Sequence, residues 1–319
     1  MTELSNFDLG ILASGAVIAG IWLLVIGGNY TIDASVAIAE RAQLSRVFIG
    51  ATIIAFGTSV PELFTSVNAN LQDFPGISLG NVIGSNIANV LLVIGAAAVV
   101  ATIGVRSDKV ARDLVLMLAA TAVLVAGMFY GVFTRLIGIA MFASLVAFVL
   151  WQYLNNEIDT SEVEEIEMPA AQAALYLLGG IAALAFGSEL LVSGAVVAGQ
   201  VLGVPEAVIG MTAVAIGTSL PELTASITAV KKGEIELMFG NIIGSNTFNI
   251  LSIVGLTAII KPLAVEPVLT GFELWFMVAV SVGFAAMLFT QRRFNRVVGF
   301  AFLGVYLAFT LYQFRDTIL

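Results

Sequence analysis

Apolar stretches of about 20 residues recur along the whole chain, and this pattern limits its fold more than any other feature. Each is long enough to cross a hydrocarbon core about 30 Å thick as a helix rising about 1.5 Å per residue. The chain is 59% hydrophobic and 11% charged, whereas a soluble domain is about 25% charged. In lipid, backbone N–H and C=O groups are satisfied only inside helices or closed barrels. Barrel strands are about ten residues long and alternate in polarity; these stretches do neither. The chain therefore reads as an all-α integral membrane protein. Ten spans are expected, at roughly 8–37, 46–71, 76–101, 109–130, 134–154, 169–199, 205–231, 234–260, 268–290 and 295–315. Several exceed a simple crossing, so tilt or a break near Gly and Pro is expected. The longest polar stretch runs from Asn155 to Met168 and leaves no room for a soluble domain.

The chain has no cysteine and no histidine. That excludes disulfides, thiolate metal sites and the usual proton shuttle near neutral pH. No cofactor and no obligate protein partner is implied. The net charge of −9 comes largely from Glu157, Asp159, Glu162, Glu164, Glu165 and Glu167, and no basic patch points to nucleic acid. The acidic run reads as a solvated linker; it lacks the spaced ligands and glycine of an EF-hand loop. The N-terminus lacks the basic segment of a cleaved leader, so the first apolar stretch is expected to be retained. Arg41, Arg46, Arg106, Lys109, Arg112, Lys231, Lys232, Arg292, Arg293 and Arg296 fall on one side of the spans; Arg135, Lys261 and Arg315 fall on the other. The positive-inside rule makes the first side cytoplasmic. Both termini then face outward and the acidic loop lies inside.

The chain also repeats itself at an offset of 160. GTSVPEL at Gly57–Leu63 matches GTSLPEL at Gly217–Leu223, and GNVIGSNIAN at Gly80–Asn89 matches GNIIGSNTFN at Gly240–Asn249. Two blocks sharing one offset imply duplication. Each half holds five spans, an odd number, so the second half enters the membrane from the opposite side. The expected organisation is an N-terminal repeat at 1–154, a linker at 155–168 and an inverted C-terminal repeat at 169–319. Inverted repeats are the plan of many secondary transporters, which bind their cargo at the midplane.

The duplicated residues are the polar ones. Glu62 and Glu222 lie about 16 residues into their spans, near mid-membrane. A charge there costs roughly 2.5–3.5 kcal/mol on insertion scales. No Lys or Arg in a span is placed to pair with either glutamate, so a bound cation is the simplest partner and a proton the alternative. Pro61 and Pro221 have no N–H for the carbonyls of Gly57 and Gly217. The loosened turns expose carbonyls near Ala55, Thr58, Ala215 and Thr218. Thr58 and Ser59 precede Glu62 by four and three, which places them on its helix face, and Thr218 and Ser219 do the same for Glu222. An oxygen-only set suits Ca2+ or Na+, not zinc or copper. In the second block, Asn81, Ser85 and Asn89 form a polar stripe that Asn241, Ser245 and Asn249 copy. Its glycines favour close helix packing. The stripe either belongs to that packing or lines the ion path through Ser85, Asn89, Ser245 and Asn249. Asp33 and Glu189 read as interfacial or vestibule residues; Asn29 stands at the repeat position of Glu189.

The doubled GTSxPEL and GNxxGSNxxN blocks, over nearly the whole chain, resemble the calcium/cation antiporter superfamily, and within it the prokaryotic sodium/calcium exchangers. The resemblance implies a sodium/calcium exchanger-like fold of ten helices in two inverted five-helix repeats, in the plasma membrane of a prokaryote. It implies exchange of Ca2+ for Na+ by alternating access through four clustered cation sites. It assigns Ca2+ to Glu62 and Glu222 with the carbonyls of Thr58 and Thr218. It assigns flanking sodium sites to Ser59, Ser85 and the Ala55 carbonyl, and to Ser219, Ser245 and the Ala215 carbonyl, with Asn89 and Asn249 beside the centre. Some members carry Asp at the position of Asn249. Asn here argues against potassium dependence and leaves two carboxylates in the core. A GNAxE motif, typical of proton-coupled relatives, is absent. The alternatives are a Ca2+/H+ antiporter and, in a different class, a cation channel; an enzyme is not expected.

Overall fold

The computed structural model describes residues 6–41, 52, 54–104, 107–154, 168–290 and 293–315. Apart from one two-stranded ribbon it is helical. The helices are α1 (Asn6–Arg41), α2 (Ala55–Thr58), α3 (Val60–Leu71), α4 (Pro75–Val100), α5 (Ser107–Tyr130) and α6 (Arg135–Leu154). They continue with α7 (Ala170–Leu202), α8 (Glu206–Thr218), α9 (Leu220–Lys232), α10 (Ile235–Ile260), α11 (Phe272–Phe289) and α12 (Arg296–Gln313). The ribbon pairs β1 (Val132–Phe133) with β2 (Leu263–Ala264), antiparallel, joining the turn after α5 to the turn after α10. Among the described residues, eight helices are long and apolar enough to cross a membrane, and the bent pair α8–α9 makes a ninth. Of the expected span at 46–71, residues 46–51 and 53 lie outside the described residues, as does the acidic linker at 155–168 apart from Met168.

Burial sorts these helices into layers. Of the most apolar stretch in α4, 83% is buried, and in α10, 89%; in α1 the figure is 17%. The two helices that carry the GNxxGSNxxN blocks are therefore innermost. Trp22, Leu178 and Phe186, by contrast, are more than 60% exposed. A surface of large apolar side chains on this scale is stable only against lipid.

α1 and α7 pack along each other as a pair. Gly20 and Gly187 make the close approach: a Cβ on Gly20 would stand 2.6 Å from the Leu191 amide nitrogen. Small residues that let backbones meet are the usual membrane solution. Leu24 of α1 with Leu184, Leu191 and Val192 of α7 rest on Val60, Ile77 and Val214. This apolar cluster is separate from the main core formed by α4, α5, α10 and α11.

Both GTSxPEL segments break their helices in the same way. Ser59 (φ −83°, ψ 1°) separates α2 from α3, and Ser219 (φ −82°, ψ 5°) separates α8 from α9. The bend at Ser219 is 41°. Each break lies at the serine, two residues before the proline. Pro61 and Pro221 then occupy the first turn of the new helix, where a missing N–H costs nothing. Each GNxxGSNxxN helix also passes into a π-helical turn at its final asparagine, Asn89–Val93 in α4 and Asn249–Val254 in α10.

Candidate cation site

The helix breaks set the glutamates. Glu62 lies in the first turn of α3 and Glu222 in the first turn of α9, and both are 0% exposed. A first turn presents unpaired amide N–H groups and the positive end of the helix dipole, which favours a carboxylate by roughly 0.3–1 kcal/mol, more where partly buried. That is smaller than the cost of placing the charge in lipid. The groups acting on the two carboxylates are hydroxyls, backbone and each other, with no Lys or Arg among them.

The hydroxyls arrive from the opposite half. Ser219 donates to Glu62 Oε1 at 3.4 Å, and Ser59 donates to Glu222 Oε1 at 3.5 Å. Thr218 also lies against Glu62, and Thr58 and Ser245 lie against Glu222. This corrects the helix-face expectation that Thr58 and Ser59 serve Glu62. Spacings of three and four share a face only in an unbroken helix, and the chain breaks at Ser59. Each glutamate therefore meets the hydroxyls across the interface between the halves.

Asn81 is the hub of this interface. Its Nδ2 donates to the Glu62 carbonyl at 3.2 Å and to Ser66 Oγ at 2.9 Å. Its Oδ1 accepts from Ser85 at 3.4 Å and from Thr218 at 3.1 Å. Asn241, its repeat mate, accepts from Thr58 at 3.3 Å, and the hydroxyls of Thr58 and Ser245 are 3.2 Å apart. The carbonyls of Ala55 and Ala215 each accept the amide of the break serine and the hydroxyl of the neighbouring threonine.

Several buried polar atoms of the repeated motifs are left unsatisfied. Glu62 Oε2, Glu222 Oε2, Asn89 Oδ1 and both amide atoms of Asn249 are buried without a hydrogen-bond partner among the described residues. Leaving such atoms bare costs about 1–3 kcal/mol each, more for a charge. Four oxygens that could coordinate a hard cation are among these groups.

The structure buries Thr58, Thr218, Ser59, Ser219, Ser85, Ser245, Asn89, Asn249, Ala55 and Ala215 with the two glutamates. Sequence reasoning gave Asn81 and Asn241 only a place on a stripe, although four of the site's bonds converge on Asn81. It passed over Asn246, which accepts a hydrogen bond from Asn89 at 3.0 Å. The GSN triplet was the available signal, but its asparagine falls one residue off the spacing-four stripe. Glu189 lies apart from the centre. It is exposed on α7 and accepts from Asn68 at 2.8 Å and from Gln72 at 3.2 Å.

Many apolar helices around two buried carboxylates, with no Lys or Arg acting on them among the described residues, mark a multi-pass membrane protein with a site suited to cations. Comparison with known proteins narrows the class. The sodium/calcium exchanger protein family matches residues 12–154 and again 172–315. The chain is 36% identical to the putative antiporter CaxA of Alkalimonas amylolytica, over 95% of this chain and 98% of that one. It is 30% identical to the sodium/calcium exchanger MaX1 of Methanosarcina acetivorans, over 93% and 97%. Among solved structures, the sodium-calcium exchanger NCX_Mj soaked with Na+ and Sr2+ superposes with a TM-score of 0.69 at 30% identity, over 94% of this chain and 98% of that one. The chain belongs to the sodium/calcium exchanger family. It is a cation antiporter and not an enzyme.

Proposed function

We propose that this protein exchanges Ca2+ for Na+ by alternating access, with Glu62 and Glu222 as the shared ligands. The observation that carries the reading is the pair of fully buried carboxylates, each with one oxygen held by a serine of the other half and one left bare. Two carboxylates balance one Ca2+. Thr58, Thr218, Ser59, Ser219, Ser85, Ser245, Asn89, Asn249 and the Ala55 and Ala215 carbonyls complete an oxygen-only shell that Na+ shares. The Ala55 and Ala215 carbonyls each accept an amide and a long threonine hydroxyl bond, and the hydroxyl turns away when the carbonyl takes a cation.

The halves 1–154 and 169–319 are inverted repeats of five helices, ten in all, joined by a cytoplasmic linker at 155–168, with both termini outside the plasma membrane of a prokaryote. The basic-residue asymmetry supports this orientation. α1 and α7 slide together over the core once a cation neutralises the glutamates, and their separate apolar cluster supports that motion. With the site empty, two unbalanced buried charges oppose the switch.

The test is Ca2+ uptake into proteoliposomes driven by a Na+ gradient at one pH on both sides. Uptake is expected, and Glu62→Gln or Glu222→Gln is expected to lower it at least about 100-fold, the loss of one buried charge contact, while the protein stays monodisperse and helical. Uptake driven only by a pH gradient would replace sodium by proton coupling. Wild-type uptake in either variant would remove the glutamates from the site.

A further inference from the structure

The two central asparagines, Asn89 and Asn249, are repeat mates, but the structure treats them differently. Asn89 Nδ2 donates to Asn246 Oδ1 at 3.0 Å, and Asn89 Oδ1 is buried without a partner. Neither amide atom of Asn249 has a partner among the described residues. The difference begins at the asparagine of each GSN triplet. Asn86 turns back on its own helix and donates to the Val82 carbonyl at 2.7 Å. Its mate Asn246 instead reaches across the halves to Asn89.

An amide side chain has two ends of similar shape and opposite polarity. Only the carbonyl end binds a cation. A free amide of this kind pays an orientational penalty each time it presents oxygen to the ion. Asn246 removes that freedom, because its Oδ1 accepts hydrogen bonds and cannot give one, so it engages only the NH2 end of Asn89. Asn246 is fixed in turn: its Nδ2 points at Met117 Sδ, 3.9 Å away, and thioether sulfur is an acceptor without a proton. Donation runs one way, from Asn89 to Asn246 and from Asn246 to Met117, and leaves the Asn89 carbonyl oxygen bare. The π turn that Asn89 opens packs against α9, the helix of Glu222.

We propose that Asn246 is a positioning residue for cation binding, holding the Asn89 amide so that its carbonyl oxygen faces the ions. The proposal rests on the reading that Glu62 and Glu222 hold the cation nearby. It also makes the site asymmetric, with one central amide oriented in advance and the other, Asn249, free to turn.

A double-mutant cycle on Ca2+ uptake in proteoliposomes tests it. Asn246→Leu removes the acceptor at similar volume and is expected to raise KM for Ca2+ roughly tenfold, the size of one hydrogen bond to a charged group, with kcat little changed. Asn246→Asp keeps the acceptor but loses the donor to Met117, and is expected to raise KM less than Asn246→Leu does. In an Asn89→Ala background, Asn246→Leu is expected to add nothing. Met117→Leu, which keeps the packing, gives a second reading should Asn246→Leu fail to fold: a smaller rise in KM, again absent in the Asn89→Ala background. Effects of Asn246 and Met117 substitutions that multiply with that of Asn89→Ala would overturn the proposal, as would a fall in kcat at unchanged KM. That failure is distinct from failure of the glutamate site, which shows as uptake surviving Glu62→Gln.

Discussion

At the residue scale, the site separates asparagines that hold the fold from one that does not. Asn81 carries four hydrogen bonds and ties α4 to α3 and to the second half. Asn249 is equally buried and makes none among the described residues. Replacing a well-bonded buried amide strands its partners, while replacing an unbonded one by an apolar group relieves a cost. Asn81→Leu is therefore expected to destabilise the protein by roughly 2–4 kcal/mol, and Asn249→Leu to stabilise it by roughly 1–3 kcal/mol. Thermal unfolding in detergent reads both. Asn249→Leu should at the same time weaken Ca2+ exchange, because the proposed shell draws on that unbonded amide oxygen. A variant that is less stable yet exchanges normally would show that Asn249 serves packing instead.

At the element scale, the helix breaks and the glycine contacts do different work. The breaks at Ser59 and Ser219 aim each first-turn glutamate at the other half. The glycines set how closely α1 and α7 approach. A Cβ at Gly20 would meet the Leu191 backbone at 2.6 Å, whereas one at Gly15 would meet nothing within 4 Å. Gly20→Ala is expected to cost about 1–3 kcal/mol through overpacking. Gly15→Ala is expected to be neutral or to stabilise by up to about 1 kcal/mol through helix propensity. Melting curves of the two variants make the comparison, and equal shifts would contradict the close contact.

At the scale of the whole molecule, the question is whether α1 and α7 move as a unit across the core. Glu189 on α7 accepts hydrogen bonds from Asn68 and Gln72, at the end of α3 remote from Glu62. These bonds bridge the proposed sliding pair and the helices beneath it at the Gln72 end of α3. Because the chain has no cysteine, Asn68→Cys with Glu189→Cys gives a clean pair for a short thiol-specific cross-linker. Cross-linking is expected to stop exchange, and cleavage of the linker to restore it. Full exchange by the cross-linked protein would mean that α7 does not slide past α3.

Sequence alone determined that the chain is a helical membrane protein, because apolar length and the lack of paired charge leave lipid as the solvent. It also marked the residues proposed for the cation site, since the 160-residue offset pairs Glu62 with Glu222 together with their hydroxyl neighbours. It did not determine which hydroxyl serves which glutamate. Spacing along a helix predicts neighbours only while the helix continues, and the helices break at Ser59 and Ser219 before each glutamate. Nor did it separate Asn89 from Asn249 or reveal Asn246, because the motif text is nearly the same in both halves. Those distinctions depend on contacts between residues more than 150 positions apart, as in Asn89 with Asn246 and Ser219 with Glu62. Tertiary packing alone brings such groups within hydrogen-bond reach, and so it decided how the two glutamates are held.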